Sequence, residues 1–346
     1  MSMMGQRAFG RLCVAVSAAL FAVGCGGSSK PVATPVSQPE TTHAKVATAT
    51  DTNAPAAEKA GAPEAPPLPR VRLLSPGAPP RQKLRYRYSM GPSQWIQMDM
   101  KMSTGVALNG GTVLPTQLPT MRSVCRIDPK SVSPEGDLRY DFEMTKVTLL
   151  RDVPFPAQQR EKIEKDLGKL AGSKGHALVT ARGFTKEADL VMPPDAPESV
   201  QDAMENMRSA LRQLSAPLPE EEMGTGAMWE VATDIVTPAF RMTQTATYTL
   251  RELRSNGFIS TVSLIQNAPK QVMKLKQAPD AKVELESLLS TGDGKVDQPF
   301  DRLVSNSSVK SSTNMQMSIA TPDEPNTRMV MTMGIEMLFQ PARGPR

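Results

Sequence analysis

The sequence predicts an α+β fold: a mainly antiparallel β-sheet, either curled or shaped as a half-barrel, accompanied by two helices. Three observations predict it. Apolar and polar residues alternate strictly over 96–102 within the run 95–102, and again over 138–144, the period of a strand with one buried face. Ser255-Asn256-Gly257 is a hairpin turn set between two further alternating runs, 241–253 and 258–266. Only two stretches carry apolar residues at helical spacing. Antiparallel pairing follows from connections this short.

Taken in order, residues 1–24 read as an export leader. Arg7 and Arg11 precede an apolar run over 12–23, and Ala22-Val23-Gly24 leads into Cys25. The run is too short to span a bilayer as a stable helix. Cleavage before Cys25 would free a thiol and an amine for acylation, and more than one chain gives stable anchoring where a single chain is marginal. Residues 25–80 then form the lipidated start and a spacer rich in proline, alanine and threonine. Such a composition buries too little apolar surface to offset its ordering entropy. At flexible-coil scaling, about 55 residues reach roughly 40 Å.

The body is expected at 81–342. Its strands are read over 83–90, 95–102, 121–127, 138–144, 177–181, 228–235, 241–253 and 258–266, with Ser133-Pro134-Glu135-Gly136 as a turn. Farther on, Gly292-Asp293-Gly294 reads as a turn after 283–290, and 321–326 joins 308–319 to 329–339. The first helix is read over 157–170, with Ile163, Leu167 and Leu170 on one stripe and a Glu161–Lys165 pair at i,i+4. The second is expected from an Asp195 N-cap through Val200, Met204, Met207, Leu211 and Leu214, stopped by Pro217 and Pro219. Parallels between the segments around 138–144 and 258–266 leave open that the body comprises two related halves.

Several residues carry a resemblance over most of this body. They are an opening Leu84-x-Tyr86 strand, Leu170-Ala171-Gly172 with Gly175, and Leu218-Pro219-x4-Gly224 with Met228-Trp229. Tyr248-Thr249-Leu250 and Gly292-x-Gly294 with Asp301 complete the set. In these the chain resembles a family of bacterial lipoproteins of unknown function. Thr225-Gly226-Ala227 makes the approach to Trp229 longer than the family's glycine-then-tryptophan pattern. The resemblance implies an exported, lipid-anchored, β-rich protein and imports no reaction.

Chemistry-bearing residues are sparse. Besides His43 in the spacer, the chain has one histidine, His176, so neither a two-histidine metal site nor a histidine-bridge protease motif can exist. No serine lies in a Gly-x-Ser-x-Gly elbow and no phosphate-cradling glycine loop is present. Cys125 alternates with Met121, Ser123 and Ile127 as a small core residue does. Glu220-Glu221-Glu222 and the series Asp293, Asp297, Asp301 read as solvated turns, since their spacing does not match a calcium loop. Without Arg7 and Arg11, the formal charge of +5 becomes +3, with no basic run among aromatics; nucleic-acid binding is not expected. The chain is read as non-enzymatic and without a cofactor.

The anomaly is methionine, 22 residues against 4% aromatics. Met98-x-Met100-x-Met102, Met315-x-Met317 and Met329-x-Met331-x-Met333 would each align on one strand face. Such a face suits core packing or a deformable surface for an apolar ligand. A Cu(I) reading rests on thioether chemistry, but exported copper carriers of this type add histidine or further cysteines. The sequence therefore points to a non-catalytic lipoprotein held by Cys25, with the outer membrane expected because no aspartate follows that cysteine. Its role would be envelope structure, interaction with an envelope protein, or the holding of an apolar molecule. The alternative is a periplasmic carrier or chaperone for lipid or another hydrophobic molecule.

Overall fold

The computed structural model describes residues 68–191, 216–236, 239–273, 281–321 and 327–344. The leader, Cys25, nearly all of the spacer and the helix expected over 195–214 lie outside the described residues.

The strands of the first part are β1 (Arg70–Ser75), β2 (Gln82–Lys83), β3 (Gln94–Leu108), β4 (Thr116–Val132), β5 (Leu138–Leu149), β6 (Lys174–Val179) and β7 (Thr185–Val191). Those of the second are β8 (Glu222–Met223), β9 (Met228–Val236), β10 (Arg241–Arg254), β11 (Gly257–Ala268), β12 (Gln271–Met273), β13 (Lys282–Pro299), β14 (Asn306–Ala320) and β15 (Thr327–Pro341). Thirteen of them form one antiparallel sheet in the order β1-β9-β10-β11-β13-β14-β15-β3-β4-β5-β6-β7, with β12 on β13. The sheet is mainly a meander and is not closed: β1 and β7 are its edges.

Alternation explains the strands. Along β14, the even positions from Asn306 to Gln316 are exposed while the odd positions from Ser307 to Ile319 are buried. The buried face joins nearly every strand into one core, from Leu138, Tyr140 and Phe142 through Trp229 and Phe258 to Met331. Trp229 stacks on Tyr248 at 5.0 Å and meets Phe258 edge-on at 6.5 Å, filling one end with the large aromatic surface the chain otherwise lacks. The single described helix, α1 (Ala157–Gly168), connects β5 to β6 and contains no buried residue. Its i,i+4 pair is Arg160–Glu164 rather than Glu161–Lys165.

Three expectations are corrected. First, β1 lies inside the stretch read as spacer; Val71 and Leu73 alternate with Arg70 and Arg72, which reach Asp234 and Glu230 on β9. Two arginines and a neighbouring proline mask a short strand in a proline-rich context. Second, residues 84–90 do not join a sheet. Leu84, Tyr86 and Tyr88 are buried in alternation, but the backbone is shared out: Tyr86 N–H donates to the Ala181 carbonyl and Arg87 N–H to Phe300. The segment thus straps the turn after β6 to the end of β13. Third, Gly292 and Gly294 are not in a turn but mid-strand in β13. Both are paired on each side, with β11 and β14. A Cβ on Gly292 would lie 2.7 Å from the Lys310 carbonyl oxygen, and one on Gly294 2.5 Å from that of Ser308. Close backbone approach, not a left-handed turn, therefore explains these glycines.

Candidate functional site

The methionine face forms as a consequence of register. In β14 and β15, Met315 pairs with Met331 and Met317 with Met329. The rows extend on both sides, giving Leu288–Met315–Met331–Val106 and Leu285–Met317–Met329–Leu108. Met333 lies between Thr313 and Thr104. Directly opposed side chains share a sheet face, so one inner surface carries all five. Their relative exposures run from 0% at Met315 to 2% at Met333. A side chain lining a water-sized void would keep accessible surface, so these five are packed.

Met98, Met100 and Met102 share that face but not that neighbourhood. They oppose Phe339, Met337 and Ile335 at the far end of β15. Met100 sits in a three-methionine row, Met337–Met100–Met121, and is buried, whereas Met98, Met102 and Met121 are half-buried. Sequence reading placed Met121 and Met337 in strands, over 121–127 and 329–339, but counted neither among the methionine faces. The alternation that reaches Met333 continues through Ile335 to Met337, so the signal for the second was present.

A polar row crosses the same buried face. Gln244, Gln266, Ser290, Thr313, Met333 and Thr104 are consecutive cross-strand partners. The Gln266 amide donates to Gln244 Oε1 at 2.8 Å and the Thr313 hydroxyl to Ser290 Oγ at 2.9 Å, as buried polar groups require. On β4 of the inner face, burial pushes the Cys125 thiol up to about 11, leaving it neutral at physiological pH.

The outer face of β4–β7 holds a shallow cleft of about 340 Å³ lined by charged groups. Asp128, Asp141, His176 and Asp189 occupy one cross-strand row, and Arg126, Glu143, Lys174 and Val191 the next. Each of these basic side chains has a carboxylate within 4 Å. Arg126 lies 3.0 Å from Asp128 and 3.1 Å from Glu143, Lys130 3.1 Å from Asp141, and His176 3.4 Å from Asp189. Lys174 completes the set at 3.9 Å from Glu143. His176, the only histidine among the described residues, thus belongs to an ion-pair lattice on strand surfaces. Chemically the lattice zips four strands.

Nor are the acidic runs uniformly solvated turns. Glu220 accepts from Arg85 at 2.5 Å and from Arg182 at 2.6 Å, fastening the strap to the β6–β7 turn. Asp297 lies on β13 and accepts from Arg254 at 3.2 Å. Among the described residues, no group of three or more histidines, cysteines or carboxylates is placed to hold a metal ion. No helix among them is long and apolar enough to cross a membrane. No protein-family model and no curated protein matches this chain.

Proposed function

We propose that this chain is a bacterial lipoprotein anchored through acyl chains on Cys25, non-catalytic, and held in the cell envelope at the outer membrane. The observation that carries the reading is the sequence of the leader: Arg7 and Arg11, the apolar run over 12–23, and small residues abutting Cys25. A proline- and alanine-rich spacer then leads into β1 at Arg70, the arrangement a tethered body needs. Membership of a family of bacterial lipoproteins of unknown function, read from Leu84-x-Tyr86, Leu218-Pro219 and Met228-Trp229, is part of the same proposal.

Within that reading, the body acts as a structural or interaction module of the envelope. The five methionines of β14 and β15, at most 2% exposed, support packing over an apolar-ligand cavity at that position. The carrier alternative draws its support from the half-buried inner surface of β3 and β4, where Met98, Met102 and Met121 remain accessible. A second amphipathic helix over 195–214 and descent of the β3–β7 and β9–β15 meanders from one ancestral half are also part of the proposal. The test is mass analysis of the mature chain purified from membranes. Acylation at Cys25 is expected; an intact leader, or cleavage elsewhere without lipid, refutes the anchor.

A further inference from the structure

We infer that Met98, Met102 and Met121 form an oxidant-accessible modification site on the inner face of β3 and β4, taking an oxygen atom from hydrogen peroxide. This inference does not depend on the anchor. Three grades of methionine exist in one body. Met90 and Met228 stand in solvent at 56% and 38% exposure, while Met315, Met317, Met329, Met331 and Met333 are sealed at 2% or less. Between them, Met98, Met102 and Met121 surround the buried Met100: two flank it on β3 and the third opposes it from β4. They pack against the core while keeping accessible surface.

Oxidation is simple in atoms and electrons. The thioether sulfur attacks the terminal oxygen of the peroxide, the O–O bond breaks as the S–O bond forms, and water leaves. Sulfur loses two electrons and the peroxide gains them. The rate depends on access, because a thioether has no proton to lose. Cysteine usually reacts first, but only as the thiolate. Cys125, directly opposite Ile96 in the same strand pair, is held neutral by burial. Cys125 is half-buried like the three methionines, so burial of the thiol removes the usual advantage of a thiolate and leaves the thioethers as targets in their own right. The product matters because a sulfoxide is polar and these three side chains border the core. Modification at Met90 or Met228 touches only surface, whereas modification at Met98, Met102 and Met121 inserts S=O dipoles against Met100 and loosens the β3–β4 ladder. Sulfoxide reduction by methionine sulfoxide reductases makes the change reversible.

The mature protein is treated with graded hydrogen peroxide at neutral pH and mapped by peptide mass analysis. Met90 and Met228 should gain one oxygen first, Met98, Met102 and Met121 next, and the five sealed methionines more than about 100-fold more slowly, since their reaction waits on opening of the core. The melting temperature should fall with conversion of those three, recover on treatment with methionine sulfoxide reductases, and stay constant in a Met98→Leu/Met102→Leu/Met121→Leu variant, whose swaps conserve volume. Oxidation of the sealed methionines at the rate of Met98, or an undiminished fall in the triple variant, would each overturn the site.

Discussion

Replacing Met331 by glutamine separates a packed core from a ligand cavity. Met331 is 1% exposed, with Met315 on one flank and Val106 on the other. Glutamine has nearly the same length, so the change alters polarity more than volume. Removing a fully buried methionine surface forfeits about 1.5–3 kcal/mol. The buried amide adds about 1–3 kcal/mol if it finds no partner, and neither Met315 nor Val106 offers a side-chain hydrogen bond. The expected destabilisation is thus roughly 3–5 kcal/mol, with a fall in melting temperature of roughly 10 °C for a body of this size. Met331→Leu, which conserves volume, should cost less than about 1.5 kcal/mol. Urea unfolding followed by tryptophan fluorescence measures both, because Trp229 is wholly buried and reports on the same core. A loss below about 1 kcal/mol for the glutamine variant, combined with weakened binding of an apolar fluorescent probe, would refute the packing argument and favour a cavity.

Other consequences are equally direct. Cys25→Ala should abolish incorporation of labelled palmitate and release the chain from the membrane fraction; continued labelling would refute lipidation at that residue. The Cys125 thiol, raised by burial from its ordinary value of 9.0 to about 11, contributes stability that is fully present below pH 9 and lost as pH rises through 11, by at most about 2–3 kcal/mol. Tyr86 and Tyr140, also raised by burial, add to the alkaline loss, so the difference between wild type and Cys125→Ala in unfolding titrations isolates the thiol. Gly175→Ala would drive a methyl group into the Asp189 carbonyl oxygen and to 2.5 Å from the Phe142 ring, so calorimetry should show a loss of about 2 kcal/mol or more. Thr313→Val should cost about 1–3 kcal/mol by stranding the Ser290 hydroxyl, and Ser290→Ala on top should recover most of it, as a double-mutant cycle in urea would show.

Legibility in the sequence followed periodicity. β3, β5, β10, β11, β14 and β15 were visible because each buries one face, and a buried face writes a period of two into the chain. Position within the sheet was not legible: nothing in residues 96–102 says that they oppose 335–341 rather than 329–333, since either register buries the same parity. Glycine misled where it serves close approach. Gly292 and Gly294 have the composition of a turn, and only the neighbouring Lys310 and Ser308 carbonyls distinguish the two uses. The lattice around His176 was invisible because its members come from four strands, and within each strand they read as ordinary surface charges. Glu220 looked like part of a solvated run because its partners, Arg85 and Arg182, are remote in sequence.

That ambiguity of register gives the buried polar row a physical purpose. β14 and β15 repeat small or polar residues against Met-x-Met runs, so a slip of two residues would keep every apolar side chain on the inner face and cost little in burial. Methionine makes this worse, since a flexible side chain fills a misaligned gap almost as well as the correct one. Hydrogen bonds are less tolerant. Thr313 finds Ser290, and Gln266 finds Gln244, in the observed register; a two-residue slip of β14 along β13 would set the Thr313 hydroxyl against Leu288 or Gly292, and in one direction would also set Met315 against Ser290. Each stranded group costs about 1–3 kcal/mol, enough to exclude the slipped pairing although the correct pair contributes little to net stability. The row therefore supplies specificity where the methionines supply burial, and a sheet built on interchangeable thioethers needs both.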